Sequence, residues 1–281
     1  MTIVTTPSSG PIDADLDIAR VEQRLRESNR RRSRGILATQ LVIVLVALVA
    51  WELASRRFDI AFWVSSPSAV WDQLLSWADS GELWSGVKAT LLVTVLGFVP
   101  GALIGALTGF LFGWFRSLGR ILEPFVLALY TLPKIALAPL FILWFGIGTL
   151  PKVVLAAVLV FFLVFFTTFQ GAKTVDRSML EMGYLMGGDK LPVFTKIVVP
   201  TSAVWVFSGF KIALPYALIG AVVGEFMAAT EGIGFMIKNA TNEFNTAGVF
   251  AGLVVLMILA TVLTQLLRLT ESKVLHWQDA A

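Results

Sequence analysis

The chain has 281 residues, 57% of them hydrophobic, and a mean hydropathy of +0.80, more apolar surface than a soluble domain can bury. Lipid is therefore its expected solvent, and with a formal net charge of only +3, what matters is where the 22 lysines and arginines fall. Cysteine is absent, which excludes disulfides and thiolate metal sites, and the single histidine, His276, reads as a solvated tail residue.

Residues 1–34 contain no apolar core of signal-peptide type and read as an extension that stays on the side of origin. Within them Ile18, Val21 and Leu25, following Asp13 and Asp15, suggest a short amphipathic helix. The run Arg30-Arg31-Arg32-Ser33-Arg34 reads as a topology-setting positive flank, with binding of anionic lipid or of a partner as the alternative. Residues 35–57 form the first span; its apolar stretch from Ile36 to Ala54 is long enough for ~30 Å of hydrocarbon, and Arg56 and Arg57 close it. Residues 58–86 are too polar to span, yet carry Trp63, Trp71, Trp77 and Trp84, and read as an interfacial segment at headgroup level.

The remaining core, residues 87–270, divides into five further spans. The second, Val87 to Phe115, holds Gly97, Gly101, Gly105, Gly109 and Gly113 at strict intervals of four. Each interval advances roughly 40° around a helix, so a neighbouring helix can approach closely along the whole line. Static packing is the first reading of that stripe and a moving, gate-lining helix the second; Pro100 is expected to kink it. After a short loop at 116–120, the third span, Ile121 to Phe145, is interrupted by Pro133, Lys134 and Pro139, and the Trp144-Phe145-Gly146-Ile147-Gly148 tract reads as the turn to the fourth, Val153 to Thr168. The fifth runs from Ser202 to Glu225 with Lys211 and Pro215 inside it, the segment 227–246 is a loop or a short dipping helix, and the sixth runs from Gly248 to Leu269, leaving 271–281 as a tail.

Between the fourth and fifth spans lies a polar island. Ser178-x-x-Glu181 can close a capping box, Gly187-Gly188 can end that helix, and Asp189 with Pro192 can start a second one, so two short helices meet at a glycine elbow. If residues 1–34 lie inside, that side holds fifteen lysines and arginines, the other side five, and two, Lys134 and Lys211, lie within spans. The bias places both termini and the island in the cytoplasm.

The island resembles the coupling loop of ABC importer permeases, E-A-A-x3-G-x9-I-x-L-P. Glu181, Gly187 six residues on, Ile197 ten further and Pro200 three beyond keep its spacing, while Met182 and Gly183 stand at its alanines and Val199 at its leucine. Two further tracts, Val64-Ser-Ser-Pro67-Ser-Ala-Val70 and the run from Ala136 to Gly148, resemble nitrate, sulfonate and taurine permeases, so the resemblance covers roughly Val64 to Ile237. It implies an all-α membrane protein of the type I importer permease fold, with six transmembrane helices and a cytoplasmic coupling loop at 176–200. It also implies a homodimer in the bacterial inner membrane, two ATP-binding subunits below it and a solute-binding protein above. Docking to the ATPase would fall on Glu181, Gly183, Met186, Gly187, Gly188, Asp189, Ile197 and Pro200. No cofactor is expected on this chain, since ATP and magnesium would sit on the partner ATPase; the nearest string to a phosphate-binding loop, Gly171-Ala-Lys-Thr174, lacks its first glycine. No nucleic-acid partner is expected.

Two other classes fit less well. A secondary transporter would carry ionisable groups near the midplane, whereas Glu52, Glu123 and Glu225 sit near span ends, and an intramembrane enzyme would have almost nothing to build a site from. For the pathway the candidates are Lys134, with Tyr130 four residues before it, Lys211 and Glu225. A charge at mid-span costs ~2.5–3.5 kcal/mol unless hydrated or paired. No carboxylate in the same span reaches either lysine, so both are expected to face a wet pathway that favours a small anion such as a sulfonate, taurine, nitrate or organic acid, a neutral pyrimidine-type nutrient being the alternative. Glu225 either pairs with Lys238 at the outer mouth or is a solvated helix end.

Overall fold

The computed structural model describes residues 35–36, 38–57 and 61–275. The expectations for the N-terminal extension and for His276 lie outside them. The described residues form helices without strands and divide into two units, one through residue 67 and one from residue 68.

In the first unit, α1 (Ala38–Arg57) is apolar on all sides and exposed along most of its length, with Leu41, Ile43 and Leu45 each more than 60% accessible, as suits a helix whose solvent is hydrocarbon. It continues past the apolar stretch to Arg57, where Glu52 pairs with Arg56 one turn on, at 2.6 Å, and so keeps the charged turn helical. A single turn, α2 (Ala61–Val64), follows.

Then comes α3 (Pro67–Asp79), an amphipathic helix of the second unit from Ser68 on, which buries Val70 and Trp77 and leaves Trp71 outside. Behind Gly81 (φ +81°) begins α4 (Glu82–Trp114), five residues before the expected start, and Pro100 sits inside it without ending it. The glycine stripe of α4 lies against α7 (Thr149–Lys173). A Cβ at Gly101 would come within 2.5 Å of the Ala157 carbonyl oxygen and one at Gly105 within 2.7 Å of that of Phe161, so all-glycine spacing is what lets the two backbones touch. Gly97 and Gly113 meet Ala156 and Ala172, and Gly109 meets Phe165 and Thr168, which is the packing reading of the stripe.

The third span is not continuous. The expected loop at 116–120 is already the first turn of α5 (Arg116–Thr131); a 3-10 turn at Lys134–Leu137 leads into α6 (Ala138–Phe145), and the two halves are bent by 78°. Pro133 is the cause: it has no N–H to continue the ladder and forces Leu132 into an extended conformation (φ −62°, ψ 138°). Gly146 (φ +76°) and Gly148 (φ +154°) then make the turn into α7. After α8 (Arg177–Leu185) and α9 (Lys190–Val193), a π-helical turn at Phe194–Val198 runs into α10 (Val199–Ala228). The segment left open between loop and helix contains α11 (Ile233–Asn242), and α12 (Thr246–Val274) closes the fold with Asn245 accepting from the Gly248 N–H at 2.9 Å.

Five of these helices are long and apolar enough to cross a membrane, or six if the bent pair counts as one span. The centre is small-residue packing: Ala102, Val160, Val164, Ala213 and Ala217 bring α4, α7 and α10 together, with Phe98 and Phe210 filling the edges.

Candidate functional site

Three constellations on this frame carry chemistry. The first is the elbow between α7 and α10. Asp176 is the N-cap of α8 and accepts from the Ser178 N–H at 2.9 Å, which holds its carboxyl below the usual carboxylate range. That cap is therefore formed at neutral pH and is lost only as pH falls through the lowered value. The capping box expected from Ser178 and Glu181 does not form. The helix starts two residues earlier than that motif requires, Ser178 becomes its second residue, and Glu181 pairs instead with Arg177 at 3.0 Å.

The helix ends in a complete Schellman motif. The Gly188 N–H bonds to the Gly183 carbonyl and the Gly187 N–H to the Tyr184 carbonyl, both at 3.0 Å, with Gly187 at φ +80°. Space around Gly187 is open, so its requirement is conformational. Gly183 is different: a Cβ there would meet Ile197 Cδ1 at 2.7 Å, so the pair locks α8 against the π turn. Asp189 is extended (φ −75°, ψ 173°) at the start of α9, without a side-chain cap, and Pro200 occupies the first turn of α10. Ile197 and Trp114 both pack against the buried cluster of Ala172, Val175 and Val198, while Leu185 and Met186 at the tip are 88% and 82% exposed. A rigid base thus presents bare apolar side chains.

The second constellation surrounds Glu225, and here both expectations fail. Glu225 is wholly buried and does not pair with Lys238. The Thr90 hydroxyl lies 2.9 and 3.0 Å from its two oxygens, the Gly234 N–H donates to Oε2 at 2.8 Å, and the Thr90 oxygen in turn accepts from the Ile233 N–H at 2.8 Å. The first turn of α11 offers its free N–H groups to a carboxylate and so outcompetes a lysine side chain. Gly232 (φ +117°) permits the approach, since a Cβ there would fall 2.3 Å from Glu225 Cδ. The signal available in the sequence was Gly232-x-Gly234 after the acid; nothing pointed to Thr90.

The third lies at the break in the third span. Lys134 donates to the Tyr130 carbonyl, and its ammonium stands 4.3 Å from the Tyr130 ring centroid and 4.8 Å from that of Phe162, with Phe166 edge-on to Tyr130 at 4.9 Å. Lys211 is in another situation. It pairs with Glu271 of α12 at 2.7 Å, so its charge is answered by a carboxylate 60 residues away, and the reasoning that sent it to a wet pathway for want of a partner does not hold for it.

Five or six helices long and apolar enough to cross a membrane, one of them a bent pair carrying an aromatic-held lysine, define an integral membrane protein. Residues 101–276 match the family described as binding-protein-dependent transport system inner membrane component. Similar chains include the formylaminopyrimidine transport permease protein of Halalkalibacterium halodurans, 31% identical over 83% of this chain and 93% of its own, and the riboflavin transport system permease protein of Chloroflexus aurantiacus, 33% identical over 94% and 98%. A Bacillus subtilis chain assigned as an aliphatic sulfonates transport permease protein is 32% identical over 72% and 73%. The chain belongs to this family of ABC transporter permeases, with the type I importer permease fold.

Proposed function

We propose that this chain is the membrane-spanning permease subunit of an ATP-driven importer, and that two copies form the translocation pathway. Both termini and the elbow face the cytoplasm, where two ATP-binding subunits dock; a solute-binding protein delivers solute from outside. ATP and magnesium sit on the docked subunits. The observation that carries this reading is the elbow: Leu185 and Met186 stand bare at the tip of a turn whose base is fixed in the core, and such a patch needs a partner.

A β-branched side chain at Gly187 costs about 1–3 kcal/mol in the left-handed region that the turn requires. Gly187→Val is therefore expected to leave the protein inserted but unable to copurify with its ATPase or drive uptake, whereas Gly187→Asn, which tolerates that region and meets open space, should retain both. Normal ATP-dependent uptake by the Val variant would refute the docking role of the elbow.

For the solute we propose a small anion. Lys134 supplies an ammonium ion that is held by a carbonyl and two ring faces, with no carboxylate among the described residues paired to it, and one of the similar permeases is assigned to sulfonates. A neutral, planar heteroaromatic solute is the second reading; the Tyr130, Phe162 and Phe166 rings favour it, as do the names of the formylaminopyrimidine and riboflavin permeases. Lys134→Met should lower anion uptake about tenfold, the loss of one charged hydrogen bond, while Lys134→Arg retains most of it and ATPase assembly is unaffected. Unchanged anion uptake in the Met variant would rule out the lysine as a pathway contact.

A further inference from the structure

Beside the Glu225 cluster, where α4 and α10 meet the first turn of α7, lies a cavity of about 470 Å³ whose lining includes Lys88, Lys152, Ser85, Thr149, Thr230 and Glu231. Lys152 is only 9% exposed, and among the described residues it has no hydrogen-bond or ion-pair partner. Its stem is pressed against Gly224 of α10, where a Cβ would come within 2.7 Å of Lys152 Cγ, so the side chain is held in place by the one residue type that makes room for it. Glu225 lies close enough to interact with the Lys152 charge through space, yet forms no ion pair with it within 4.0 Å, because its oxygens are taken by Thr90 and Gly234.

The stem of Lys152 is buried while its ammonium group opens on the cavity without a bonded acceptor from the protein, which leaves its donors to water or to a solute. Two further features of the same cavity have the same sign. Lys88 reaches it from the exposed face of α4. The N-terminus of α7, a helix of 25 residues, also opens on it through Gly148 and Thr149, and its N-cap Gly148 supplies no side-chain acceptor for the first-turn N–H groups. Glu231 is the one carboxylate in the lining and the buried Glu225 acts on Lys152 through space from behind it, against two ammonium groups and the N-terminus of α7 that face the cavity itself. The Ser85, Thr149 and Thr230 hydroxyls add neutral donors.

We propose that this cavity is an anion-binding site, which takes a small oxyanion (a carboxylate, a sulfonate or nitrate) between Lys88 and Lys152 with its oxygens toward the start of α7. Its role as the first station for incoming solute rests on the reading of the chain as an anion importer, since the cavity lies at the end of α10 opposite the elbow.

The test uses the full chain in nanodiscs of neutral lipid, titrated calorimetrically with nitrate, methanesulfonate and acetate, and with tetramethylammonium as the opposite charge. At least one anion should bind saturably and the cation should not. Lys88→Gln, at an exposed position where the fold is not at stake, should weaken that binding about tenfold or more, while Lys88→Arg should stay within about threefold. Lys152→Met should abolish it. Absence of saturable binding by the wild-type chain, or equal affinity in Lys88→Gln, overturns the site even where the assembled transporter still takes up an anion. Uptake confined to neutral solutes, with anion binding lost in Lys88→Gln, instead overturns the importer's anionic reading and leaves the site in place.

Discussion

Gly105→Val should prevent the protein from reaching its native packing. A Cβ at this position lies 2.7 Å from the Phe161 carbonyl oxygen and 3.1 Å from the Phe165 nitrogen, both backbone atoms of α7 that no rotamer change can move aside. The helices must separate over the length of the stripe, and small-to-large substitutions of this kind cost about 1–3 kcal/mol, more where the obstacle is rigid. The expected result is a fall of roughly 10 °C in the Tm of the detergent-purified protein, or failure to accumulate in the membrane at all. Leu107→Ala two residues away, on a side chain that is 68% exposed, should change Tm little. Equal Tm values for the two variants would show that α4 and α7 are not held together by the glycine contact.

Glu225→Ala should free α11 from the rest of the bundle. It leaves the Thr90 hydroxyl proton and the Gly234 N–H buried without acceptors, at about 1–3 kcal/mol for each orphaned group. Amide hydrogen exchange at Gly234 should accelerate about a hundredfold, and transport should be lost because the cluster joins three helices, α4, α10 and α11. Thr90→Val should reproduce part of the effect by removing the acceptor for Ile233, and Thr90→Ser should not. Unaltered exchange at Gly234 in the Ala variant would mean that α11 is held by apolar packing of Ile233 and Ile237 alone.

The fold is legible where one-dimensional signals suffice. Long apolar runs mark the spans, Pro133 and Pro139 mark the break in the third, and Gly187-Gly188 mark the elbow's turn. Boundaries differ where helices continue through polar residues: α4 starts at Glu82 because Gly81 sets its first turn, whatever the hydrocarbon thickness demands. The capping box fails because Asp176, two residues before Ser178, is a competing acceptor of equal quality. The polar partners are not legible. Thr90 and Glu225 are 135 residues apart and Lys211 and Glu271 are 60 apart, and such pairs become neighbours only once helix packing has chosen which faces meet.

The helix that begins at Lys190 and ends at Ala228 is 39 residues long, about 58 Å, nearly twice the ~30 Å of hydrocarbon it crosses. Ala213 and Ala217, both fully buried in the small-residue centre, divide it into two unequal lengths. Counted from Pro215, midway between these two alanines, the length to Lys190 is about 37 Å and the length to Glu225 about 15 Å. The 2.8–3.0 Å clasp of Glu225 with Thr90 and Gly234 thus sits on the short side of the packed centre and the exposed elbow on the long side, joined by one helical stretch.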